Sequence, residues 1–243
     1  GEDAIHYLRK GYRVIGIEAN PLLVKEASVK FTKAIASKQL QLVNIGIAEE
    51  ECILPFYCNQ HLSEWSSFNK DLGYRMNTTA TVIDVATKRL SSLFDEYGVP
   101  YYLKIDIEGY DAICLETLVG YKAYPVYISC EASSPKCIDL LVDMGYTHFK
   151  LINQFRNFKQ LDIAWEKNKT FTYIQNKKNR LKLRLQHYLP FKYSFGSSGP
   201  FGEETDGDWL TAEQVNTAYH QYYDVVSGHG LNKFSWFDIH AKK

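Results

Sequence analysis

The stretch Tyr101–Tyr110, YYLKIDIEGY, decides the fold class of this chain. At a two-residue period it has one apolar row, Tyr101, Leu103, Ile105 and Ile107. The other row, Tyr102, Lys104, Asp106 and Glu108, turns polar before Gly109 closes it. Such a pattern is a strand ending in acid. Asp111–Val119 follows with Ala112, Leu115 and Val119 at helical spacing, so the unit reads strand, acidic turn, helix. Open α/β sheets bind ligands at the carboxyl ends of their strands, which makes Asp106 and Glu108 the first candidate site residues.

The same unit occurs twice more. Arg13–Ala19, RVIGIEA, is an apolar run ending in Glu18. Asn20 and Pro21 then supply the N-cap and first-turn proline of a helix with Val24, Ala27, Phe31, Ala34 and Ile35 on one face. Downstream, Pro125–Ala132, PVYISCEA, carries Glu131 near its end. Ser134 and Pro135 open a helix with Ile138, Leu141 and Val142 inward and Gly145 as its stop. Strands alternating with helices imply an α/β fold with a mainly parallel, doubly wound sheet.

Other segments fit around these units. Gly1–Lys10 reads as the tail of a turn running into a helix that Gly11 stops, and Gln41–Ala48, QLVNIGIA, as a third strand. Cys52–Cys58 and Thr79–Ile83 read as strands flanking an irregular loop. Asp84 is positioned to cap a helix bearing Leu90, Leu93, Phe94 and Tyr97, ended by Gly98 and Pro100. Phe149–Asn153 is a further strand, Thr211 and Gln214 form a capping box before a helix bearing Val215, Ala218, Tyr219 and Tyr222, and Lys233–Ala241 is the last strand.

With 243 residues, 45% of them hydrophobic, the chain can build one sizeable domain with an elaboration. Lys+Arg and Asp+Glu both number 28, so no global field favours nucleic acid or a bilayer. No run of 18 apolar residues occurs, which points to a soluble, cytoplasmic protein. The five cysteines show no CxxC spacing and read as free thiols.

The strand-terminal acids define the chemistry to expect. A carboxylate in the position of Glu18 suits the two hydroxyls of a ribose. Asp106 and Glu108 suit a general base for a hydroxyl, a partner for a cationic ligand group, or, with Glu131, a divalent cation such as Mg²⁺. The plainer alternative pairs Asp106 with Lys104 and leaves Glu108 to the dipole of the next helix. Lys167–Lys192 holds eight Lys or Arg and no acid, and reads as a solvated face paired with Glu203, Glu204, Asp206 and Asp208 rather than as a nucleic-acid surface. Trp65-Ser66-Ser67 and the glycine- and serine-rich Phe195–Gly202, FGSSGPFG, are candidate lids, the latter too flexible for a core.

Taken together, GEDAIHYL with KGYRVIGIEANP, YYLKIDIEGYDAICLETL, SSGPFGEE and SWFDIHA resemble the FkbM family of S-adenosylmethionine-dependent methyltransferases. The resemblance implies a Rossmann-like class I methyltransferase sheet with an antiparallel last strand, and S-adenosylmethionine as cofactor. It implies that Gly1 is the last glycine of the first motif, that Glu18 binds ribose beside Ala19 and Asn20, and that Gly46, Ile47 and Ala48 lie by the adenine. Asp106 and Glu108 then fall near the methyl-donating end, with Asp106 shared between cofactor binding and catalysis. The family's first strand and most of its glycine loop belong upstream of Gly1. A single domain over 1–243 is expected, with 154–208 as a substrate-side insertion. The expected reaction is O-methylation of a small-molecule or glycan hydroxyl. A non-catalytic binding module on the same scaffold, an N-methyltransferase and an NAD-dependent oxidoreductase are the alternatives, and neither the acceptor nor the oligomeric state is legible.

Overall fold

A computed structural model of the chain describes residues 1–154, 158–164, 168, 170, 174, 177–178, 197–229 and 237–243. The basic run and most of the 154–208 insertion lie outside the described residues, as do Phe195, Gly196 and the start of the expected last strand. The chain divides into two units. Gly1, Asp3–Val99 and Asp106–Tyr124 form the first, and Glu2, Pro100–Ile105 and Pro125–Lys243 the second.

In the first unit, α1 (Glu2–Arg9) stops at Gly11, whose φ of 86° suits a residue without Cβ. Two short parallel strands follow, β1 (Val14–Ile17) and β2 (Leu40–Val43), paired from Val14 with Leu40 to Ile17 with Val43. Between them Asn20 caps α2 (Pro21–Lys30), its Oδ1 accepting the Leu22 N–H at 3.0 Å. The expected helical face is inward but bends at Phe31, which is buried and separates α2 from α3 (Thr32–Ala36). A second sheet has β5 (Ala80–Lys88) at its centre, parallel to β3 (Gly46–Ile47) and antiparallel to β4 (Ile53–Asn59). The short α4 (Lys70–Gly73) lies in the β4–β5 connection, and α5 (Leu90–Tyr97) and α6 (Asp111–Glu116) complete the unit.

Three expectations change here. Gln41–Ala48 is two strands with different partners, because Asn44 turns back to the carbonyls of Glu18 and Ala19 at 2.8 and 3.0 Å. Asp84 caps no helix. It lies within β5 opposite Pro55, since the β-branched run Val82, Ile83, Val85, Thr87 sustains the ladder to Lys88. The strand expected over Tyr101–Ile107 is β6 (Tyr102–Lys104), and Asp106 to Gly109 form a turn outside it.

The second unit is built on the sheet β6–β7–β10–β8–β9, with β7 (Tyr127–Glu131), β8 (His148–Asn153), β9 (Lys159–Gln160) and β10 (Phe237–Lys242). β6 and β7 are parallel, and β10 runs antiparallel to both its neighbours. Successive strand residues face opposite sides, so the register separates two rows. Cys130, Ile239 and Leu151 form an apolar row, and Lys104, Ser129, His240 and Lys150 a polar one. Helix α7 (Lys136–Asp143) buries Cys137, Ile138, Leu140 and Leu141, whereas Val142, expected inward, is 39% exposed, one step round the helix from that stripe. The Thr211–Gln214 capping box forms reciprocally, at 2.9 and 3.3 Å, and opens the helix Ala212–His229, which buries Val215, Tyr219 and Tyr222.

The polar row is almost closed to solvent. Lys104 Nζ lies 3.1 Å from Asp238 Oδ2, and Gln154 Nε2 donates to Asp238 Oδ1 at 2.6 Å. Lys150 donates to the Thr205 carbonyl at 3.0 Å and sits 4.5 Å from the Trp209 ring centroid, an ammonium held by a carbonyl and an indole face.

The candidate lid Phe195–Gly202 is corrected over its described part: Ser197–Gly202 are all buried. Phe201 stacks flat on Tyr102 with centroids 4.0 Å apart. Beyond it, Glu203 accepts from Tyr127 OH at 3.2 Å and Trp209 Nε1 at 2.9 Å and pairs with Lys242. Small residues permit mobility only where nothing anchors them, and here an aromatic and a carboxylate do. Gly202 has a φ of 62°, and a Cβ there would stand 3.0 Å from the Tyr127 ring. Gly202→Ala is therefore expected to cost about 1–3 kcal/mol, read as a lower denaturation midpoint in urea at unchanged slope.

Candidate active site

Glu18 follows β1 directly, its N–H donating to the Val43 carbonyl at 3.1 Å. One carboxylate oxygen accepts the Asn20 N–H at 2.7 Å, and the Ala19 N–H also bonds the carboxylate. Burial pushes the Glu18 carboxyl above its ordinary range, and the Asn20 N–H pulls it back. Asn44 fixes the carbonyls of Glu18 and Ala19, so the β1–α2 turn is held from both sides. The patch extends to β4, because burial, and after it the charge of Glu18, raise the Cys58 thiol. Gly1 caps α1, with Phe31 2.8 Å from where its Cβ would be.

A second patch joins β3 to the acidic turn. Gly46, Ile47 and Ala48 are buried, and a Cβ on Gly46 would meet the Phe68 ring at 2.2 Å. That ring packs at 5.6 Å on Tyr110, which closes the turn. Burial, then the charge of Glu49, push the Tyr110 hydroxyl up. Glu108 pairs with Arg75 at 2.6 Å, and Ser67 Oγ donates to the Glu108 carbonyl at 2.8 Å. Burial raises the Glu108 carboxyl, Arg75 lowers it, and the charges of Asp106 and Glu64 raise it further. Asp106 is exposed and near enough to be felt by Glu108.

A family model described as the methyltransferase FkbM domain matches residues 1–154. The chain belongs to the FkbM methyltransferase domain family. Searches of curated proteins and of solved structures found no match. Within this FkbM domain, the matched residues include β1 with Glu18, β3 and the acidic turn, while SSGPFGEE and SWFDIHA lie beyond the match. Among its described residues no group of three or more His, Cys, Asp or Glu could hold a metal ion, and no helix is long and apolar enough to cross a membrane. The five cysteines are thiols rather than disulfide-bonded.

Two contributors were not singled out from the sequence, whereas Ser67 was named within the candidate lid Trp65-Ser66-Ser67. Asn44 carried a weak signal, a polar residue interrupting an apolar run. Arg75 carried none, because its partner is 33 residues away.

Proposed function

We propose that this FkbM domain is an S-adenosylmethionine-dependent O-methyltransferase acting on a hydroxyl of a sugar, glycan or secondary metabolite. The observation that carries the reading is the part-buried Glu18 that ends β1, its carboxylate oriented by the backbone N–H groups of Asn20 and Ala19, in a chain of this family. A carboxylate so arranged suits the paired hydroxyls of a ribose, so the donor set fits the cofactor. Glu18, Ala19 and Asn20 would hold the ribose side, Gly46, Ile47 and Ala48 the adenine side, and Gly1 would close the glycine loop. This reading carries with it a Rossmann-like class I fold in one domain over 1–243, with 154–208 assigned to the acceptor.

The cofactor, when bound, supplies a methyl group already activated by its sulfonium. The protein then needs to hold the acceptor oxygen in line and accept its proton. Asp106 would accept that proton, the methyl–sulfur bond of the cofactor being the one given up. Calorimetric titration with S-adenosylhomocysteine, of this chain and of one extended upstream, tests the reading. Saturable binding is expected, weakened at least about tenfold in Glu18→Gln. No binding by either chain counts against the enzyme.

A further inference from the structure

We infer that Arg75 is a positioning residue for the methyl-transfer site, acting through Glu108 to hold the turn that carries Asp106. This rests on the reading of Asp106 as the base. The connection between β4 and β5 presents Arg75 by pinning the chain on both sides of it. Asn59, 7% exposed, donates from Nδ2 to the Gly73 carbonyl at 2.8 Å and to Thr78 Oγ1 at 2.5 Å, and Thr78 Oγ1 in turn donates to the Arg75 carbonyl at 2.8 Å. Between them Met76 has a φ of 59°, a left-handed conformation that a residue with a long side chain adopts only when its surroundings impose it.

The side chain is fixed as firmly as the backbone. Arg75 Nε donates to the Leu72 carbonyl at 2.9 Å, the guanidinium carbon lies 5.4 Å from the Trp65 ring centroid, and Nη2 reaches Glu108 Oε2 at 2.6 Å. The same connection grips the turn twice more. Ser67 Oγ bonds the Glu108 carbonyl, and Leu72 Cδ1 lies 2.3 Å from where a Cβ on Gly109 would stand, at a residue with φ of 83°. Side chain, carbonyl and following glycine of the turn are therefore each held by this one connection.

The two acids of the turn are thereby given different tasks. Glu108 is paired with Arg75 at 2.6 Å, which opposes the effect of its burial, and serves as the turn's anchor. Asp106, exposed and adding its charge to the same field, is presented to the acceptor. Trp65, in the candidate lid Trp65-Ser66-Ser67, and Arg75, beyond it in the same connection, set how the turn is aimed.

The test needs neither acceptor nor cofactor. Carbon-13 titration of the Glu108 carboxyl, assigned with Glu108→Gln, is expected to show its midpoint rising by at least about one unit in Arg75→Met and returning at least halfway in Arg75→Lys. Amide exchange over Asp106–Tyr110 is expected to quicken about tenfold in Arg75→Met, with the double variant Arg75→Met/Glu108→Gln no faster than Glu108→Gln. An unmoved midpoint, or additive exchange in the double variant, overturns the role. If Arg75→Met does not fold, Glu108→Gln alone decides: quicker exchange across Ser67–Arg75 supports the link, and unchanged exchange removes it. Failure of the S-adenosylhomocysteine titration would instead strike the methyltransferase reading and leave these measurements standing.

Discussion

Asp106→Asn is expected to lower methyl transfer by about 10²- to 10⁴-fold, the usual contribution of a positioned general base. The change keeps the size and hydrogen-bonding capacity of the side chain and removes its ability to take a proton. The measurement is labelled methyl passed from S-adenosylmethionine to a panel of monosaccharides, glycosides and phenols, with S-adenosylhomocysteine affinity determined in parallel. Lost transfer with retained affinity assigns the proton to Asp106; unchanged turnover removes it from the mechanism. Glu108→Gln separates the two acids. Its carboxylate is committed to Arg75, so its loss should disturb the aim of the turn rather than abolish proton transfer.

The second large effect is on stability in acid and comes from His240 in β10. The ring is fully buried, its Nε2 has no hydrogen-bond partner, and Lys104 and Lys150 face it from β6 and β8 across the same row as Ser129 of β7. Burial first, then those two ammonium groups, push the imidazole down to about 3 from an ordinary 6.5. The unfolded chain therefore binds a proton there more readily than the folded one. Stability is full above the ordinary value and falls as the pH drops through the interval between 6.5 and about 3. The expected loss is about 3 kcal/mol by pH 4.5 and on the order of 4 kcal/mol by pH 3.

Other groups titrate in that range with different signs. Glu18 and Glu108 are raised by burial and gain stability on acidification. Glu203 is lowered to about 2 from 4.5, by the contacts of Lys242 and Trp209, and loses stability only below 4.5. Urea unfolding between pH 6.5 and 4.5, compared with the same series in His240→Gln, isolates the histidine. The variant should show a slope flatter by about 2 kcal/mol over the interval; parallel slopes would mean that the ring is protonated without penalty.

Order within a few residues was readable in the linear chain because the forces that create it act over a few residues. Asn20-Pro21 capped α2, Gly11 and Gly145 stopped their helices, Thr211 and Gln214 closed a capping box, and the β-rich run Pro125–Ala132 marked a strand. The acids after β1 and after β6 stood out for the same reason, as polar residues ending apolar runs, and with their neighbours they carried the family. Asp84 shows the limit of local reading: a competent capping residue was overruled by seven paired residues of β4, because a ladder of hydrogen bonds outweighs one cap.

What the acids are committed to was settled in three dimensions. Glu108 meets Arg75 across 33 residues, Lys104 meets Asp238 across 134, and His240 becomes a buried neutral ring only when β7 and β8 close on both sides of β10. Charge pairing and desolvation depend on distance in space, and sheet pairing brings together segments whose separation along the chain carries no trace of it. The Ser197–Gly202 segment makes the same point: small residues announce freedom, but Phe201 lying on Tyr102 takes that freedom away.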